Sequence, residues 1–215
     1  MVPEDDESAE DDESATETDS EAGSDPTLAE RRGLETDVYR PAEDSRLLAD
    51  AAIDRFDGRN LVLEVGTGSG FVAERIAAET DARVVASDVN PHALDEAQNR
   101  GLETVRADLV APFADDVFDA VVFNPPYLPT EPDHEWDDWM ERALSGGQDG
   151  RAVVDPFVES VGRVLTPDGV ALLLVSSLTG VDEVAELAGG AGFSVVAVAE
   201  ESFPFETLTV LELIR

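Results

Sequence analysis

The run Phe118-Asp119-Ala120-Val121-Val122-Phe123 stops at Asn124-Pro125-Pro126-Tyr127, and these ten residues constrain the fold more tightly than any other stretch. A dense run of Val, Ala and Phe reads as a strand buried on both faces. Two prolines end it, because proline donates no ladder hydrogen bond and steers the residue before it away from helix. The tetrapeptide therefore stands at the carboxyl end of a buried strand, the place where open α/β sheets bind ligands. It offers an amide side chain, backbone carbonyls that no following strand takes up, and an aromatic face, all stiffened by two fixed φ angles. Such a set suits a planar group bearing NH2, either an amide or an exocyclic amine. A strand that merely ends in a proline loop would look the same, so the rest of the chain has to decide.

Leu61-Val62-Leu63-Glu64-Val65 predicts a strand, Gly66-Thr67-Gly68-Ser69-Gly70 a turn, and Phe71 to Glu79 a helix. Glycine there permits positive φ and close approach of a ligand to the backbone, while the helix start presents unpaired N–H groups. The spacing departs from Gly-x-Gly-x-x-Gly, which disfavours a pyrophosphate ligand. Arg83 to Ser87 predicts a second strand ending at Asp88, about twenty residues beyond the glycines, where an acid can hold ribose hydroxyls. Pro91 opens a helix, His92 to Arg100, at a favoured first position. Leu102 to Arg106 predicts a third strand, and Asp108 follows it, placed to accept from an adenine amine. Taken singly, each acid reads as a turn residue; taken together, the three strand ends make a nucleoside pocket beside Asn124.

Upstream, Val38-Tyr39-Arg40-Pro41-Ala42-Glu43-Asp44-Ser45 leads into a helical stretch, Arg46 to Ile53, with Pro41 or Asp44 near its start. Residues 128 to 148 predict a long loop holding Pro132, Asp133, His134, Glu135, Trp136 and Trp139. His134 reads as a solvated loop histidine rather than a general base. A helix from Arg151 to Leu165 follows, then a turn at Pro167-Asp168-Gly169, a strand from Val170 to Ser176 and a helix from Val181 to Ala188. Two last strands, Phe193 to Ala199 and Thr207 to Leu213, are joined by Glu200 to Glu206. That joint is too short for a parallel crossover, so they pair as an antiparallel hairpin.

Alternating strands and helices with this ending, the glycine turn and the acids together resemble a class I S-adenosylmethionine-dependent methyltransferase. The resemblance implies an α/β, Rossmann-like, seven-stranded sheet in the order 3-2-1-4-5-7-6 with an antiparallel last strand. Asn124-Pro125-Pro126-Tyr127 is similar to the amino-methylating signature of enzymes acting on adenine, cytosine and glutamine nitrogens. The stretch from Val38 to Ser45, with Ser145-Gly146-Gly147-Gln148-Asp149-Gly150-Arg151, resembles the compact HemK-like family of eukaryotes and archaea, which methylates the glutamine of the Gly-Gly-Gln motif in class I release factors. The resemblance covers roughly residues 36 to 215 and lacks the N-terminal helical domain of bacterial members. It implies that Gly66, Gly68 and Gly70, together with Glu64, serve S-adenosyl-L-methionine at its methionine and ribose, that Asp88 holds the ribose hydroxyls, and that Asp108 with Leu109 faces the adenine. Tyr39, Glu43 and Ser45 would cover the cofactor, while Asn124, Pro125 and Tyr127 would grip the amide, with no metal involved. It also implies a small activator subunit forming a heterodimer along an apolar edge, strand Leu102 to Arg106. Gly146-Gly147-Gln148 matches the substrate motif itself and is read as a coincidence within a glycine turn. An adenine-N6 DNA or RNA methyltransferase, a protein lysine methyltransferase and a non-catalytic binding module are the rival readings. Against the first stands the lack of a target-recognition domain or an arginine cluster interleaved with aromatics.

Composition sets the surroundings. Residues 1 to 25 carry 12 acidic and no basic residues and read as a disordered tail ahead of one methyltransferase domain, 26 to 215. Removing those 12 from 49 leaves 37 acidic residues against 14 basic, a charge of about −23 on the folded part. All 14 basic residues are arginine and cysteine is absent, so neither disulfides nor Cys-ligated zinc enters. No secretory or membrane-spanning run occurs, which points to a cytoplasmic protein. A chain without lysine and with so large a negative surface resembles proteins of salt-in halophilic archaea, where multimolar salt screens self-repulsion. Lowering potassium chloride from molar concentrations to roughly 0.1 M, where charges on the order of 10 Å apart still repel, is expected to unfold the chain in part. Circular dichroism across a salt titration measures it, and an unchanged spectrum would refute the screening account.

Overall fold

Along the central strands, odd and even positions bury into different cores, and this alternation makes the fold a sheet covered on both faces. Val62, Ala120, Val122, Leu172 and Leu174 belong to one core, and Leu63, Val65, Val121, Phe123, Leu173 and Val175 to the other. The computed structural model describes residues 37–130 and 139–215. The acidic tail, with residues up to 36, and the loop segment containing Pro132, Asp133, His134, Glu135 and Trp136 lie outside the described residues. In chain order the elements are α1 (Glu43–Arg55), β1 (Leu61–Val65), α2 (Phe71–Glu79), β2 (Arg83–Asp88), α3 (Pro91–Asn99), β3 (Glu103–Arg106), β4 (Phe118–Phe123), α4 (Trp139–Leu144), α5 (Val154–Val164), β5 (Leu165–Ser176), α6 (Val181–Gly190), β6 (Ser194–Ser202) and β7 (Thr207–Ile214). The strands form one sheet in the order β3-β2-β1-β4-β5-β7-β6. β7 runs antiparallel to both β5 and β6 and the other pairs are parallel, as the sequence led us to expect.

Helices α1 and α2 cover the first core through Leu48, Ala52, Phe56, Val72 and Ile76, and α5 covers the second through Phe157, Val158, Val161 and Val164. Each of these side chains is buried to within a few per cent, contributing about 1.5–3 kcal/mol for a large aliphatic or Phe. Helix α3 is capped by Asn90, whose side chain accepts from the His92 N–H at 2.9 Å, with Pro91 at the first turn.

Two expectations change. The strand predicted from Val170 begins at Leu165, and the expected turn at Pro167-Asp168-Gly169 sits inside it: β4 pairs Phe118 with Leu165 but Ala120 with Val170, so the intervening residues bulge from the ladder. The stretch from 128 to 148 is not all loop. It carries α4, whose Met140 and Leu144 are buried against Tyr39 and Leu128.

After β4 the chain is strapped down by the glycine-rich turn. Gly146 N donates to Leu128 O at 2.9 Å, Thr130 N to Gly147 O at 2.8 Å, and Leu128 N to Leu144 O at 3.0 Å. The turn tolerates nothing larger than glycine at three places: a Cβ on Gly146 would lie 2.7 Å from Gly150, one on Gly147 (φ +73°) 2.8 Å from the Ala152 Cβ, and one on Gly150 (φ +76°) 2.7 Å from the Tyr127 carbonyl. Gly150→Ala is therefore expected to lose about 2 kcal/mol through left-handed strain and a backbone clash. A drop in Tm with unchanged far-ultraviolet dichroism is the expected outcome; equal Tm values would mean that the strap is not rigid.

Candidate active site

The sheet changes direction of winding between β1 and β4, since β2 and β3 lie on one side and β5 on the other. The strand ends part there, and a crevice is left at their carboxyl edge. In this molecule it is a cavity of about 290 Å³. Gly66, Gly68, Asp88, Asp108, Leu109, Asn124, Pro125 and Tyr127 line it, as do Tyr39, Ser45 and Glu64. Residues picked from five separate stretches of sequence thus meet around one space.

Its floor is the turn after β1. Gly66, Gly68 and Gly70 all have positive φ, at 63°, 51° and 80°, which an L side chain rarely adopts. A Cβ on Gly66 would also press on the Phe123 ring at 3.1 Å. The Gly68 N–H donates to one Asp88 oxygen at 2.9 Å and the Asn90 N–H to the other at 2.8 Å, so the acid of β2 is oriented by the backbone on both sides. Burial pushes the Asp88 carboxyl above its usual range, and those N–H bonds oppose the shift. Glu64 is more extreme. It is 4% exposed, and desolvation raises its pKa to about 8 although Thr67 Oγ1 donates to it and the Ala73 N–H does so at 3.1 Å. Asp88 adds like-charge repulsion.

Beside the glycine turn, at the end of β4, stands Asn124. It is half-buried, and its Oδ1 is completely buried without a hydrogen-bond partner. A buried carbonyl without a donor costs about 1–3 kcal/mol, so a donor-bearing ligand would find an acceptor already desolvated. Pro125 is buried behind it, and the Tyr127 ring packs into the first core while lining the cavity. Thr179 Oγ1, on the loop after β5, donates to the Tyr127 carbonyl at 3.4 Å, and Arg151 donates to the Thr179 carbonyl at 2.7 Å.

Two residues expected at the site lie elsewhere. Gly70 is outside the lining; a Cβ there would sit 3.1 Å from the Ala97 backbone and 3.0 Å from Leu102, so this glycine lets α2 and α3 approach each other. Glu43 is exposed on the first turn of α1 and borders only a smaller recess. Its neighbour Asp44 takes the inner place: it is 3% exposed, lines the cavity, and accepts from Tyr39 Oη at 2.9 Å and Ser45 Oγ at 3.1 Å. Helical phase carried the signal, since Asp44 shares a buried face with Leu48 and Ala51. Arg142 of α4 was also missed. It is the cation among the described lining residues, with its guanidinium 5.3 Å from the Trp139 ring centroid.

A parallel sheet with an antiparallel last strand, a glycine turn tied to an acid at the end of β2, and a second acid after β3 define a class I S-adenosylmethionine-dependent methyltransferase. A family model described as "Methyltransferase domain" matches residues 62–146. The chain is 36% identical over 190 residues to a putative protein N5-glutamine methyltransferase of Methanocaldococcus jannaschii, covering 85% of this chain and 94% of the relative. It is 34% identical over 202 residues to methyltransferase HEMK2 of Homo sapiens, covering 86% and 92%. Among solved structures it resembles the E. cuniculi Mtq2-Trm112 complex, which methylates the eRF1 translation termination factor, with a TM-score of 0.70 and 31% identity over 84% of this chain and 99% of that one. The chain belongs to the HEMK2-like family of glutamine methyltransferases. Among the described residues no helix is long and apolar enough to cross a membrane.

The cavity residues fit that cofactor: glycines for close approach, acids for hydroxyls and amines, and several carboxyls able to face a cation. Glu64 makes the ligand-free protein pH-sensitive in a definite direction. Its folded pKa of about 8 lies above the ordinary 4.5, so the folded state binds the extra proton between those values and stability falls as pH rises through that window. Glu64→Gln is expected to flatten this part of the slope and raise the Tm most at and above pH 8. Thermal melts from pH 5 to 9 at fixed salt measure it, and parallel curves for the two proteins would contradict the assignment.

Proposed function

We propose that this methyltransferase modifies the side-chain amide nitrogen of the glutamine in the Gly-Gly-Gln motif of the archaeal class I release factor. The carrying observation is the buried Asn124 Oδ1 without a donor at the wall of the glycine and acid cavity. An amide nitrogen is a weak nucleophile because its lone pair is delocalised into the carbonyl. The Asn124 side-chain carbonyl and the Pro125 main-chain carbonyl accept the two N–H bonds of the NH2 group, which draws density onto nitrogen and fixes its direction. Tyr127 flanks the plane of the amide. S-adenosylmethionine supplies, when bound, a methyl group on a cationic sulfur. Asp88 would receive the ribose hydroxyls, Asp108 and Leu109 would face the adenine, and Gly66 and Gly68 would lie along the methionine and ribose. Tyr39 and Ser45 cover that end, with Asp44 bonded to both. A lysine ammonium would have to lose a proton before it could attack, whereas a neutral amide needs no base beforehand.

The activator subunit belongs to the same reading. β3 is one edge of the sheet, β6 being the other, and the residues of β3 are mostly exposed; the Mtq2-Trm112 complex is a precedent for a partner. The edge is less apolar than its sequence suggested, with Glu103 and Arg106 beside Val105 at 36% exposure, so backbone pairing would supply more of the contact than side chains. A cytoplasmic location is part of the proposal.

Transfer of labelled methyl to the release factor, in high potassium chloride with the activator present, tests the function. Label is expected on the wild-type factor and absent from its Gln→Ala variant at the Gly-Gly-Gln motif. Asn124→Ala is expected to lower kcat by at least 10²-fold, the size of one oriented polar contact in a transition state, while cofactor affinity stays within a few-fold. Label on DNA or on lysine instead would retain the cofactor site and overturn the substrate.

A further inference from the structure

The β6–β7 hairpin holds an aromatic side chain in water beside the active site. Of the nine phenylalanines, eight are buried or half-buried. Phe205 is 93% exposed, and it is not on a slack loop. Phe203 N donates to Glu206 O at 2.7 Å across the turn, and the Ser202 and Thr207 hydroxyls meet at 3.1 Å below it. The turn is tied to the carboxyl end of β5, the same edge that carries Asn124. Ser176 Oγ donates to Glu206 at 2.8 Å, Ser177 N to Thr207 O at 2.8 Å, and Thr207 N to Ser177 Oγ at 3.0 Å. Pro204 fixes φ just before Phe205.

The hairpin also touches the catalytic end directly. Phe203, Glu206 and Leu208 border a recess of about 60 Å³ together with Tyr39, Asp44 and Tyr127, so the rim and the cavity share walls. Leu178, on the loop next to Ser177, is 46% exposed and adds a second apolar group. Isolated exposed hydrophobics are ordinary. A rigidly braced aromatic on the lip of an active site, among exposed Glu200 and Glu201, is a different case.

We infer that Phe205 is a docking residue for the folded protein substrate, seating an apolar side chain beside the acceptor glutamine so that the amide reaches Asn124. This rests on the glutamine reading above. The acidic surroundings select a partner surface whose apolar spot is ringed by Arg or Lys, and continuity with the cavity mouth places that surface next to the acceptor. The apolar side chain belongs to the folded surface around the motif and not to the motif itself, so a free amide or a short peptide lacks it and the contact reads the fold of the substrate.

Steady-state methyl transfer by the full chain with its activator separates these, using the archaeal release factor and a short synthetic peptide spanning its acceptor glutamine as the two substrates. Phe205→Ala is expected to raise KM for the folded factor about tenfold and to leave its kcat, the peptide kinetics, cofactor affinity and Tm unchanged. Phe205→Leu is expected to recover most of the loss. An unchanged KM for the factor overturns the docking role alone, as does an equal loss on the peptide, which would mean that Phe205 acts through the shape of the cavity. Light scattering that shows a wild-type dimer broken by Phe205→Ala overturns it in favour of a second copy of the chain. Failure of the wild type to label the factor overturns the substrate reading and the docking role with it.

Discussion

Parallel pairing of β1 with β4 is the constraint on which the rest of the site depends. The ladder matches Val65 to Phe123, so the two strands stop side by side and their next residues, Gly66 and Asn124, emerge at the same level. Each stop has its own cause. β1 ends because glycines with positive φ leave the extended region, and β4 ends because Pro125 and Pro126 donate no hydrogen bond. A slip of one residue would turn every core side chain of β4 to the wrong face, and the two buried cores forbid it. The glycine turn after β1 and the Asn124 tetrapeptide after β4 are therefore aligned by hydrophobic burial below them.

Electrostatics is divided between surface and cavity. The arginine ion pairs, such as Arg83 with Glu103 at 2.5 Å, join largely exposed groups, where solvent screens the attraction and little of it reaches stability. Inside the cavity the balance is different. Burial raises the cost of ionising both Glu64 and Asp88, Asp88 adds repulsion at Glu64, and both acids accept from backbone N–H groups. Both acids are thus costly to ionise inside the cavity.

Nearly all of the sheet was legible in the sequence, because its strands are short apolar runs closed by Gly, Pro or Asp. What escaped reading depended on distance in the chain. The Thr166-to-Gly169 bulge was taken for a turn because Pro-Asp-Gly signals local chain reversal, and pairing with β4 across it is invisible locally. Helix α4 is six residues long and draws its burial from Tyr39 and Leu128, neither of which its own pattern reveals. Among site residues, the glycines, Asp88, Asp108 and Asn124 were found from their position at strand ends. Glu43 and Asp44 are adjacent acids on one helix start, and only the helical phase against Leu48 separates the exposed one from the buried one. The family resemblance puts Gly70 at the cofactor, whereas its neighbours are Ala97 and Leu102.

The Gly-Gly-Gln sequence at 146 to 148 shows how a motif can be explained twice. As a string it matches the proposed substrate. As a structure it is the strap behind the tetrapeptide from Asn124 to Tyr127: Gly146 and Gly150 pack at distances that admit no Cβ, Gly147 has φ +73°, and their backbone groups hold Leu128 and Thr130. Gln148 is exposed and makes no part of the cavity wall. The glycines are thus required by close packing whether or not a glutamine follows, and packing accounts for them without a methyl acceptor. The same strap meets Tyr127 through Gly150 and Thr179, so the carbonyl after the prolines is fixed from two directions. Rigidity at Asn124 then comes from behind the site as well as from the strand below, which is what an acceptor kept buried without a donor requires.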